Sequence, residues 1–185
     1  TDAVDCFIEK VAKAYEEIFD SSVERYNEKQ KRNDRKITTS YFENVFNHKP
    51  VDTVLTSTDK RKSFYEDLVQ IGTMDDTNCG SKDAQTSIEC LSEYIQGFTK
   101  RNPNMHVFNA VLHVDEQTPH LHIDYIPIGH YTRGIDTQNG LAQGLKEMGY
   151  TGKNAISEWR EKEREVLTEI CCSHGLKISA PKKSR

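Results

Sequence analysis

The segment HVDEQTPHLH, residues 113–122, holds three of the chain's seven histidines, with Asp115 and Glu116 between them. Neutral imidazole is the commonest nitrogen ligand of divalent transition metals. Three imidazoles around one ion leave a coordination position open for substrate or water. A carboxylate three residues past the first histidine, Glu116, can orient a ligand or handle a proton. A lone strand histidine is ordinarily a surface or hydrogen-bonded residue, and pairs at i and i+2 arise readily by chance. A third histidine with strand geometry, together with Glu116 and the loop-restricting Pro119, points to a divalent-metal site made by His113, His120 and His122. His48, His106, His130 and His174 do not fit this geometry and read as structural or solvated.

The elements around this segment decide whether the three rings can meet. MHVFNAVLHV (105–114) and HLHIDYIPI (120–128) read as strands, and the short connection DEQTP forces an antiparallel hairpin. Side chains alternate faces along a strand. His120, His122 and Asp124 therefore share one face, opposite Leu121, Ile123 and Tyr125. On the first strand Asn109, Val111 and His113 share a face, opposite Phe108, Ala110 and Leu112. Burying both apolar sets under helices brings His113 beside His120 and His122 on the more open face.

The rest of the chain supplies those helices. Val4, Phe7, Ile8, Val11, Tyr15, Ile18, Phe19, Ser22 and Tyr26 recur at steps of three and four, the stripe of one long helix. TTSYFENVFN (38–47) predicts a second, short helix, and residues 51–62 a loop. SFYEDLVQIGT (63–73) predicts a strand ending near Gly72. Residues 75–83 are turn chemistry. Ile88, Leu91, Ile95 and Phe98 mark a helix over 82–100 that stops before Pro103. Two more helices are predicted over 137–150 and 154–176. The second has Ile156, Trp159, Val166, Leu167 and Ile170 inward and Gly175 as its C-terminal cap. The chain ends in a basic tail, PKKSR.

With 185 residues, one domain with a real core is expected. The hydrophobic fraction is 35% and the charged fraction 29%, as suits a helix-rich surface. The formal net charge of -4 gives no overall attraction for polyanions, so nucleic-acid binding needs a local basic patch. Lys29, Lys31, Arg32, Arg35 and Lys36 form such a patch after the first helix; its plainer reading is a solvated helix end. No apolar run is long enough to cross a bilayer, and the opening residues do not resemble a signal peptide. Five cysteines without a CxxC pair indicate neither a disulfide framework nor a zinc ribbon. They read as small buried hydrophobes in a reducing cytoplasm.

Three chemistries fit this much. One is phosphoryl transfer on a DNA strand, with the metal polarising the scissile phosphate. Another is oxygen activation or hydrolysis of a small molecule. The third is nucleic-acid binding with no catalytic metal. The basic cluster favours the first.

The histidine segment resembles the third motif of the MobV (Pre/Mob) family of plasmid mobilisation relaxases, relatives of the HUH endonucleases. That motif runs His-x-Asp-Glu-x-x-Pro-His-x-His into a hydrophobic strand ending in Pro. His113, Asp115, Glu116, Pro119, His120, His122 and Pro127 match it. AYEEIFDSSVERYNEKQKRNDRKI, FYEDLVQIG, NPNMHVFNAVLHVDE and WREKEREVLTEICCSHGL are similar to the gut-bacterial branch of the family, so the likeness covers about residues 12 to 178. It implies an α+β fold: an antiparallel sheet of about five strands, the hairpin at its centre, and flanking helices. The implied activity is nicking and rejoining of one DNA strand at an origin of transfer, single-stranded or hairpin. His113, His120 and His122 would hold Mn²⁺ or Mg²⁺. Other mobilisation or conjugation proteins would be partners, in a bacterial cytoplasm.

The family also carries an earlier His-x-x-Arg segment whose histidine is its proposed nucleophile. This sequence lacks that segment, and the family's long C-terminal region, so it reads as a single relaxase core over residues 1–185. Tyr26 is the alternative nucleophile, although its place on the helical stripe makes it a core residue. A rolling-circle replication initiator or transposase of the HUH type is the nearest alternative, and a small-molecule three-histidine metalloenzyme the next.

Overall fold

A computed structural model describes residues 2–50, 61–72, 82–116 and 118–178. In chain order it contains α1 (Asp2–Glu28), a 3-10 turn (Asn33–Arg35), α2 (Tyr41–Phe46), β1 (Tyr65–Gln70) and α3 (Lys82–Arg101). Then follow β2 (Met105–His113), β3 (His120–His130), β4 (Thr137–Asn139), α4 (Leu141–Glu147) and α5 (Ala155–Ser173). The fold is α+β, an open antiparallel sheet with helices, as expected. Among the described residues the sheet has four strands rather than about five, in the order β1-β3-β2, with β4 also on β3.

Among the described residues the hairpin's second strand, β3, is interior and β2 lies at an end of the path. Burial follows from that position. Leu121, Ile123, Tyr125 and Ile126 of β3 are buried, whereas Ala110 and Val111 of β2 are exposed. A strand with one neighbour has less of the molecule to cover it.

The chain divides into two compact units, and β1, β2 and β3 contribute residues to both. The first comprises residues 1–65, 104–109 and 124–148. Its core is the α1 stripe, with Val11, Tyr15 and Phe19 packed on Tyr41, Phe42 and Phe46 of α2. Phe19 stacks on Tyr41 at 4.2 Å, and Tyr15 meets Phe42 edge-on at 4.8 Å. Val4 lies on the predicted stripe but is exposed. The α2 helix starts with a capping box between Ser40 and Glu43, which satisfies two amides a short helix would otherwise leave open.

Residues 137–150 are not one helix. Thr137–Asn139 form β4, in register Ile128↔Asn139, Gly129↔Gln138 and His130↔Thr137, and α4 begins only after Gly140. The buried Asn139 explains the break. Its backbone N–H donates to Tyr41 Oη at 2.8 Å, and its side-chain amide donates to Tyr15 Oη at 2.7 Å and the Lys62 carbonyl at 3.0 Å. These bonds give a buried amide its partners only in the extended backbone. Gly144 then lets α4 approach β3, because a Cβ there would fall 2.7 Å from the Ile128 carbonyl oxygen.

The second unit comprises residues 66–103, 110–123 and 149–185. Leu91 and Phe98 of α3, Leu121 and Ile123 of β3, and Trp159 of α5 are its largest fully buried side chains. Trp159 meets Phe98 edge-on and donates from Nε1 to Asn102 Oδ1 at 2.7 Å. The inner side of α5 also carries Glu163, which is buried against Arg101. Gly175 takes the left-handed conformation (φ 84°) expected of a C-terminal cap. Cys90 and Cys171 are buried as expected, but Cys6 and Cys172 are exposed; Cys172 follows Cys171 on a helix, so the two cannot face the same way. Most of the loop predicted at 51–62, most of the turn at 75–83 with Cys79, and the tail PKKSR lie outside the described residues.

Candidate functional site

The three histidines converge within the second unit. His120 and His122 are separated by one residue on β3, so strand alternation puts them on one face while Leu121 and Ile123 point into the core. His113 is the last residue of β2. The rings of His113 and His120 lie nearly parallel with centroids 5.0 Å apart, and each is 5.2 Å from His122. One nitrogen from each ring lies within 4.8 Å of the others. All three rings are half-buried.

Two of the rings are held by their far nitrogens. His120 Nδ1 is 2.9 Å from the Thr118 carbonyl, which can only accept, so that nitrogen carries the proton. His122 Nδ1 is 2.5 Å from Glu66 Oε1 on β1. A neutral ring held in this way keeps its lone pair on Nε2, as a metal ligand requires. Ligands bonded at about 2.0–2.1 Å to one ion stand no more than about 4.2 Å apart, so a modest inward rotation of the rings suits a single divalent ion. The donor set fits such an ion.

Glu116 stands over two of the rings, with Oε1 3.4 Å from His113 Nδ1 and Oε2 3.6 Å from His120 Nε2. Its side chain is 58% exposed, so the carboxylate is open to a substrate. The residues that bring it there, Thr118 and Pro119, are themselves buried and anchor the loop. Glu66 was not identified from sequence. Its only signal was a carboxylate at an outward position of a predicted strand, and its partner is distant in the chain.

The basic residues belong to the first unit. Lys29, Lys31, Arg32, Arg35 and Lys36 are all exposed, in and around the turn after α1. Arg32 is engaged by Asp34 in a two-pronged pair at 2.9 and 2.6 Å. Arg35 and Lys36 border an open cavity of about 540 Å³ with Tyr26, Asn44 and Gln138. Tyr26 is half-buried against the α1 core. Burial raises the phenol pKa of Tyr15 and Tyr94, and pushes that of Tyr41 up to about 12, so none of these is a ready nucleophile.

The remaining histidines have other roles. His174 Nε2 pairs with Glu93 at 2.7 Å, His130 Nδ1 with Glu147 at 2.8 Å, and His48 Nδ1 with the Lys49 carbonyl at 2.9 Å. His106 is half-buried, and burial lowers its pKa.

Among the described residues no helix is long and apolar enough to cross a membrane. No curated protein and no solved structure matches the chain. The family model described as plasmid recombination enzyme matches residues 8–163, which takes in most of α1, the basic cluster, the whole histidine hairpin and the first half of α5. The chain thus belongs to the plasmid recombination enzyme family, and DNA is its substrate class.

Proposed function

We propose that this chain is a metal-dependent relaxase that nicks and rejoins one DNA strand at an origin of transfer. The observation that carries the reading is the convergence of His113, His120 and His122 within 4.8 Å, beside Glu116, in a chain of this family. Mn²⁺ or Mg²⁺ bound by the three imidazoles would polarise the scissile phosphate and take up charge developing on its oxygens. Glu116, exposed and within reach of two rings, would exchange a proton with the attacking or leaving oxygen. Lys29, Lys31, Arg32 and Arg35 are assigned to DNA phosphates, which fixes the position of the strand without reading its sequence. Residues 1–185 act as one nicking-joining domain, in the bacterial cytoplasm and alongside other mobilisation proteins.

The test is a supercoiled plasmid carrying the origin of the chain's own element. Joined to the family's His-x-x-Arg segment, which would supply the nucleophile, the protein should convert it to open circles with Mn²⁺. EDTA, or the double replacement His120→Ala/His122→Ala, should abolish the conversion. Equal nicking in EDTA would overturn the metal-dependent reading.

A further inference from the structure

Sheet geometry brings a third strand to the histidine cluster. β1 neighbours β3, and exposure alternates along it, with Glu66, Leu68 and Gln70 exposed and Tyr65, Asp67 and Val69 half-buried. The consecutive carboxylates Glu66 and Asp67 therefore serve opposite faces. Asp67 pairs with Arg160 of α5. Glu66 lies on the histidine face, where cross-strand neighbours stand about 5 Å apart, and its Oε1 is 2.5 Å from His122 Nδ1.

We propose that Glu66 is a positioning residue of the metal site, holding the His122 imidazole so that Nε2 is presented to the ion. The assignment rests on the metal reading above. A ring on a strand can flip about its Cβ–Cγ bond and offer either nitrogen, and only one orientation turns Nε2 toward His113 and His120. A carboxylate that accepts from Nδ1 selects that orientation and raises the basicity of the opposite nitrogen. His120 receives the same restraint from a main-chain carbonyl. His122 obtains it from a side chain on another strand, so the site depends on how β1 docks on β3. Glu66 is 52% exposed on its side chain, which makes a purely structural role in the core a poor account of it.

The experiment is calorimetric titration of the 185-residue chain with MnCl₂, paired with absorption spectra of the CoCl₂-loaded protein. The variants are Glu66→Ala, Glu66→Gln and His122→Ala. Wild type should bind one Mn²⁺. Glu66→Ala should bind 10- to 100-fold more weakly, in the range seen when an outer partner of a metal-bound histidine is removed. Its Co²⁺ spectrum should change in the visible bands that report ligand number. Glu66→Gln keeps an acceptor at the same place and should recover much of the affinity. The double variant Glu66→Ala/His122→Ala should bind no more weakly than His122→Ala alone. Wild-type affinity and an unchanged Co²⁺ spectrum in Glu66→Ala, with binding weakened in His122→Ala, would overturn the assignment and leave the metal site standing. Absence of Mn²⁺ binding by the wild type would overturn both.

Discussion

The Glu116 carboxylate stands 3.6 Å from Nε2 of His120, whose Nδ1 is bound to the Thr118 carbonyl. The proposed acid–base group and a proposed metal ligand thus share one small volume, and they can be separated by mutation. Glu116→Gln keeps the shape and removes the charge and the proton-carrying capacity. Mn²⁺ binding should persist, while nicking should fall by about 10²-fold, the usual size of an acid–base contribution. Titration calorimetry, and a plasmid nicking time course with the His-x-x-Arg segment joined on, give the two numbers. Wild-type nicking would remove Glu116 from the reaction.

Glu163 and Arg101 test the second unit's packing. Arg101 donates through Nε and Nη2 to the two carboxylate oxygens at 3.1 and 2.9 Å, and lies over the Tyr94 ring at 4.8 Å. Glu163→Leu leaves a poorly exposed guanidinium without its counter-charge and should cost roughly 3 kcal/mol. Replacing both residues with leucine should recover most of that loss. Urea unfolding of the single and double variants measures it; equal losses in the two would show that the pair is not the source.

Acid stability should depend on Glu147. Burial pushes its pKa up, but hydrogen bonds from the His130 ring and backbone N–H, Gln143 and Asn104 outweigh this and hold it at about 2, below its ordinary 4.5. The folded state therefore favours the charged form. Its stabilisation is present above the unfolded pKa and is lost as pH falls from about 4.5 toward 2. With the carboxylate partly exposed, the effect is on the order of 1–2 kcal/mol. Glu147→Gln should flatten the fall in denaturation midpoint over that window. A fall as steep as the wild type's would assign acid sensitivity elsewhere, Asp136 beside Arg25 being the next such carboxylate.

The basic turn carries a prediction about salt. Arg32 is already paired with Asp34, whereas Lys31 and Arg35 are exposed. Lys31→Ala and Arg35→Ala should weaken binding to all DNA sequences alike and reduce the salt slope by about 1 for each phosphate no longer neutralised. Arg32→Ala should do less, and Asp34→Asn should steepen the slope by releasing Arg32. An unchanged slope in all four variants would mark these side chains as solvated charges.

The histidine cluster was legible because a strand has period two, so spacing alone determines which side chains share a face. His113, His120 and His122 needed only the hairpin. Glu66 was not legible in that way, since its relation to His122 depends on strand order, which local pattern does not encode. Glu163 was hidden by its neighbours: it sits among charged residues on α5, and only the partner on α3 makes its burial tolerable. β4 was missed because three residues carry too little periodicity, and their conformation is set by what Asn139 bonds. The interior place of β3 beside an end strand β2 also lay beyond local sequence, because hairpin pairing says nothing of the strand on the other side.

Cleavage, by the chain joined to the His-x-x-Arg segment, of an origin oligonucleotide with sulfur in place of one non-bridging oxygen at the scissile phosphate tests the central claim most directly. Mg²⁺ binds sulfur poorly and Mn²⁺ binds it well. If an ion held by His113, His120 and His122 contacts that phosphate, one sulfur stereoisomer should be cut slowly in Mg²⁺ and regain its rate when Mn²⁺ is added, while the all-oxygen strand shows no comparable change. Equal cleavage of both strands in both metals, or cleavage that survives EDTA, would contradict it.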